Sequence, residues 1–81
     1  MYALTFYYGH DPKNGATYIH ETLQDAQEEM RATYRETLQD AIADKHSVIN
    51  ANIGEWDANL IIDEGTDEIY QMLICITCIY E

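Results

Sequence analysis

The sequence predicts an α+β fold, a four-stranded antiparallel sheet (β-β-α-β-β) with one long helix packed on one face. Three observations predict it. Both ends of the chain alternate apolar residues with a period of two, as half-buried strands do. Residues 22–44 instead repeat apolar residues at steps of three and four, the spacing of one helix face. The strand-like runs within each half are separated by turn-forming residues. The 81 residues are read as a single domain, 1–81. A domain of this size removes only about 60–65% of its unfolded surface from water, so the core is modest.

The first strand is expected over roughly Tyr2–Tyr8, with Tyr2, Leu4, Phe6 and Tyr8 on one side and Ala3, Thr5 and Tyr7 on the other. The stretch Gly9–His10–Asp11–Pro12–Lys13–Asn14–Gly15 reads as a loop. A short second strand, about Ala16–His20, closes a hairpin with the first. Thr22 with Asp25 three residues later resembles a capping box, with Asp in place of the usual Glu or Gln. Leu23, Ala26, Met30, Tyr34, Leu38, Ala41 and Ile42 form the apolar stripe of the helix, which runs to about Asp44 and spans roughly 35 Å. Residues His46–Gly54 read as a connector. Trp56, Ala58, Leu60 and Ile62 then alternate with Asp57, Asn59, Ile61 and Asp63 as a third strand. The turn Asp63–Glu64–Gly65–Thr66–Asp67–Glu68 leads to a long last strand, about Ile69–Tyr80.

In that strand Tyr70, Met72, Ile74, Ile76, Cys78 and Tyr80 make an apolar row that belongs under the helix. The opposite row is Ile69, Gln71, Leu73, Cys75, Thr77 and Ile79. With Tyr7 and Ile61 it leaves an uncovered apolar patch, and such patches mark interfaces. A homodimer through Tyr7, Ile61, Leu73, Cys75 and Ile79 is one expectation; partial cover by the connector is the other.

Charge narrows the function. Fifteen Asp and Glu oppose four Lys and Arg, a formal net charge of −11. Solubility of a small domain needs a magnitude of only about 2–8, and the excess destabilises the compact state by self-repulsion. An acidic cytoplasm, such as that of a halophile, is the bland source of such an excess; a basic partner is the functional one. Direct binding to nucleic acid or an anionic membrane is disfavoured, because phosphates need Lys and Arg. All the basic residues (Lys13, Arg31, Arg35, Lys45) precede position 46, so the acids that follow have no local base to pair with. The first eight residues are too short and too polar-aromatic for a signal peptide, and no run approaches a membrane span. With two cysteines and no secretory signal, the expectation is a cytoplasmic protein with free thiols.

No catalytic, metal or cofactor site is expected. Cys75–Cys78 matches C-x-x-C, but residues three apart in a strand point to opposite faces, and no second Cys pair completes a zinc site. His10, His20 and His46 are not at helical spacing from one another. The acidic turn lacks the spacing of an EF-hand loop and reads as a solvated hairpin.

The helix carries the most informative constellation. At about 100° per residue, Asp25, Glu29, Glu36 and Asp40 fall within about 60° of each other, away from the apolar stripe. They form an acidic ridge with axial gaps of about 6, 10 and 6 Å. Phosphates on one DNA strand rise by about 3.4 Å, so the likeness is one of charge density and not of register. Arg31 and Arg35 fall on the other flank, near enough to Glu28 to pair with it. Asp40 and Asp44 also oppose the helix dipole at its C-terminal end, which stability alone would avoid.

This acid-rich pattern at this length resembles small inhibitors encoded by phages and mobile elements, the anti-CRISPR and DNA-mimic antirestriction proteins. The residues that carry the resemblance are Asp25, Glu29, Glu36 and Asp40 together with the turn Asp63–Glu68. It is compositional, covers the whole chain loosely and rests on no diagnostic motif. It implies a non-catalytic inhibitor that occupies a basic nucleic-acid-binding groove of a host defence complex, in the host cytoplasm. The expected partner-binding residues are Asp25, Glu29, Glu36, Asp40, Asp44, Asp63, Glu64, Asp67 and Glu68, facing a basic protein surface. An immunity protein or antitoxin for a basic nuclease toxin shares this surface logic, and a dimeric assembly protein is the third reading.

Overall fold

The computed structural model describes residues 1–9, 15–65 and 68–79. The order of elements is β1 (Tyr2–Gly9), β2 (Gly15–His20), α1 (Leu23–Ala43), β3 (Ser47–Ile53), β4 (Asp57–Gly65) and β5 (Glu68–Cys78). All strands join one antiparallel sheet in the order β2-β1-β5-β4-β3. The α+β class matches the expectation, with a correction from four strands to five. The segment expected to be a connector is the edge strand β3.

That strand was hidden for two reasons. Its composition, Ser-Val-Ile-Asn-Ala-Asn-Ile, holds two Asn, which are depleted in strands. Its register with β4 also shifts between Val48 and Asn50, and an extra residue there breaks the period of two. All of its residues are exposed, as an outer strand allows.

The helix forms where the stripe predicts. Thr22 is its N-cap, and its hydroxyl oxygen accepts the Asp25 N–H at 3.1 Å. At the other end the N–H of Lys45 reaches the Ile42 carbonyl and that of His46 reaches the Ala41 carbonyl, each at 3.0 Å. This is a Schellman closure, with Lys45 at φ 60° in the left-handed position that usually holds Gly. Ala26, Met30, Tyr34 and Ala41 are buried, but Ile42 is 62% exposed, because it lies about 100° from the centre of the stripe.

The core lies between α1 and one face of the sheet. It comprises Leu4 and Phe6 of β1, Ala58, Leu60 and Ile62 of β4, Met72, Ile74 and Ile76 of β5, and the helix stripe. Leu4, Met30, Leu60 and Ile74 are fully buried, each contributing about 1.5–3 kcal/mol of burial. The Tyr34 hydroxyl sits at the β3 side, with a backbone hydrogen bond at Asn52, while burial raises its pKa. At the far end Trp56 packs on Tyr2 with ring centroids 6.2 Å apart, and Gln27 donates to the Glu55 carbonyl at 2.9 Å. Tyr80, expected to end the apolar row, lies outside the described residues, and Cys78 is exposed.

Candidate functional site

The acids of the predicted ridge lie along one flank of α1, and they differ in how far they are committed. Asp25 sits in the first turn and Glu36, Asp40 and Asp44 are exposed. Glu29 is half-buried, with its carboxylate 2.6 Å from Nε2 of His20 on β2. It fastens the helix to the outer strand, so the ridge has fewer disengaged acids than the sequence spacing implies.

The sheet supplies the opposite wall of this flank. A groove of about 320 Å³ runs between Glu29, Thr33 and Thr37 of the helix and a floor that includes Tyr8, Tyr18 and Tyr70. The Tyr18 ring stands edge-on to Phe6, with centroids 5.8 Å apart. A smaller crevice of about 130 Å³ follows, lined by Asp40, Asp44, His46, Glu64 and Tyr70 among others. Thr37 and Tyr70 line both, so the two hollows adjoin along the helix. Tyr8 and Tyr18 line the first, with Glu29, and Asp40, Asp44 and Glu64 line the second, while Tyr70 borders both. The Tyr70 phenol is held above its ordinary pKa, first by burial and then by the negative charge of Tyr8 and Glu64 when ionised.

The hairpin turn therefore divides. Glu64 joins the helix acids Asp40 and Asp44. Asp63 pairs with Ile69 in the register of β4 and β5 and faces the other side of the sheet; its Oδ1 accepts the Gly65 N–H at 2.9 Å. The register shifts between Asp63 and Gly65, and Gly65 takes φ 90°, a conformation a side chain would strain. Ordinary strand alternation, continued from Ile62 on the core side, sends Asp63 and Glu64 to opposite faces. Asp67 and the Glu68 side chain lie outside what the structure describes.

The other flank of the helix has a different character. Arg31, Tyr34, Arg35 and Leu38 face Ile53, Gly54 and Glu55 across a hollow of about 510 Å³. The expected pairing of Arg31 and Arg35 with Glu28 is absent among the described residues; Glu28 accepts from Gln24 at 3.3 Å instead. The cations thus sit across the helix from the acid-lined crevice and do not neutralise it.

The sheet face away from the helix is uncovered by any described residue. Its central rows, read from the strand register, are Thr17–Thr5–Cys75–Asp57, Gly15–Tyr7–Leu73–Asn59–Asn52 and Gln71–Ile61–Asn50. Tyr7, Leu73 and Ile69 are 43%, 39% and 42% exposed. The Tyr7 ring lies close to Gly15, where an added Cβ would sit 3.3 Å from it and 2.9 Å from the Phe6 carbonyl oxygen. Ile79, just past β5, is also exposed, and Ile61 and Cys75 are half-buried. Cys75 and Cys78 are free and stand on opposite faces of β5, Cys75 beside Thr5 and Cys78 beside Tyr2.

The sequence reading missed the tyrosine wall. Tyr8, Tyr18 and Tyr70 come from three strands, and the signal that could have joined them was their shared parity with core residues Phe6 and Met72. Among the described residues no three His, Cys, Asp or Glu side chains are grouped so that they could hold a metal ion, and no helix is long and apolar enough to cross a membrane. No family model, curated protein or solved structure matches this chain.

Proposed function

We propose that this protein is a non-catalytic binding protein that docks the acidic flank of α1 onto a basic protein surface, and that this surface is the nucleic-acid-binding groove of a host defence complex. The observation that carries the reading is the meeting of Asp40 and Asp44 from the helix with Glu64 from the β4–β5 hairpin in one crevice. Acids from separate elements reinforce each other's potential there, although the like charges disfavour folding. The tyrosine groove next to it offers large, rigid contact area, and Tyr is enriched at binding hot spots. Arginine suits both halves, through its guanidinium on carboxylates and its planar face on aromatic rings.

Capture from host lysate, with and without nuclease, tests this. The wild type should retain a basic nucleic-acid-binding complex, release it as salt rises, and lose it to added DNA or RNA. The variant Glu36→Lys/Asp40→Lys/Asp44→Lys alters exposed positions and should retain none. If it captures the same complex as the wild type, the flank is not the binding surface.

A further inference from the structure

We infer that the uncovered face of the sheet is the interface with a second copy of this chain, packed sheet on sheet with β5 over β5. The charge distribution argues for a like-charged copy. In a chain of net charge −11, the register places two acids, Asp57 and Asp63, on this face among the described residues, and no Lys or Arg. Both sit near the ends of β4, and Asp63 is engaged by the Gly65 N–H. The centre holds Thr5, Tyr7, Leu73, Cys75, Asn59, Ile61 and Gln71 and carries no charge. A face meant for a basic partner would keep its acids, as the helix flank does. A face that must approach an equally acidic molecule has to be free of them.

Area and symmetry agree. Five strands about 4.8 Å apart, averaging about eight residues each, project roughly 24 × 27 Å, or about 650 Å² per copy. Two such faces supply about 1,300 Å² before side-chain relief is counted, within the range of about 1,200–2,000 Å² for a specific interface. The molecule measures 15 Å along its shortest axis, two layers deep, and pairing would bury the second side of its sheet. An isologous dimer needs a surface that matches itself. The sheet has five strands with β5 in the middle, so greatest overlap sets β5 on β5. A twofold axis along β5 then lays β4 of one copy over β1 of the other. Asp57 faces Thr5 of the partner and not its own mate.

Stacked sheets lie about 10 Å apart, which brings the two copies of Cys75 within reach of a short bis-maleimide while Cys78 points away. The purified full chain should sediment at twice its monomer mass. Because both copies are anionic, salt should strengthen the association, opposite in sign to its effect on the acidic flank. Bis-maleimide should link wild type and Cys78→Ser into covalent dimers and leave Cys75→Ser unlinked. Leu73→Glu should sediment as a monomer with an unchanged helical circular dichroism spectrum. A wild type that stays monomeric at its solubility limit in high salt would overturn the proposal and leave the face to a different protein. Linking through Cys78 alone, or a Leu73→Glu dimer, would overturn it equally. Should Leu73→Glu unfold, the cysteine pair of variants decides.

Discussion

The two faces of β5 are built from one segment of chain and have opposite fates. Met72, Ile74 and Ile76 are buried under the helix, at 2%, 0% and 6% exposure, while Leu73, one residue away, is 39% exposed. Hydrophobicity along the strand barely distinguishes the rows; what separates them is the helix. The comparison teaches that apolar character records a need for cover, whereas the source of cover is a matter of topology. One face is covered within the chain by 21 helical residues. The other has no such element among the described residues.

The largest test of this contrast is a pair of truncations. Ile74→Ala should cost about 2–5 kcal/mol in urea denaturation, a large part of the stability of a domain this small. Leu73→Ala should cost less than about 1 kcal/mol in dilute protein, where the open face meets water. Equal costs would mean that the two faces are not energetically distinct.

An alkaline titration probes the covered layer next. Burial raises the pKa of Tyr34 and, with nearby charge, that of Tyr70. The unfolded chain therefore ionises first, near the ordinary tyrosine value of about 10. Stability attached to these groups is fully present below that pH and falls as pH rises through the folded values. The urea midpoint should drop from about pH 10 upward, and Tyr34→Phe should flatten that drop.

Smaller effects separate binding from stability. Asp40→Asn and Asp44→Asn remove acids that oppose the helix dipole, and each should raise stability by about 0.3–1 kcal/mol while weakening partner capture. Thermal melts and the capture assay on the same variants should thus move in opposite directions. Of similar size, Lys45→Gly should stabilise the chain by up to about 1 kcal/mol, since Gly adopts φ 60° without steric cost. A loss on melting would show that Lys45 contributes through its charge.

Much of this was legible in the sequence, and the failures have local causes. The helix, its Thr22 cap and the buried rows of β1, β4 and β5 follow from periodicity, because burial on one side forces the period. β3 did not, because an exposed outer strand is under no such constraint and its bulge scrambles what alternation it has. The acidic ridge was visible as spacing, yet its junction with Glu64 was not. That junction is tertiary: alternation from Ile62 puts Glu64 on the helix side of β4 and Asp63 on the other, but nothing local tells which part of the helix lies over it. The Glu29–His20 pair was equally hidden, since nothing in local pattern tells which strand passes beside a helix.

The position of β5 in the sheet has a consequence for how the molecule is made. β5 follows every other element along the chain, yet it lies between β1 and β4. Without β5 the remaining pairings are two separate hairpins, β1 with β2 and β3 with β4, and the helix has no continuous floor. Its pairing with β1 joins residues such as Leu4 and Ile76, at opposite ends of the sequence. Loop closure over that distance precedes its reward, which slows folding relative to a chain of this length held together by local pairings.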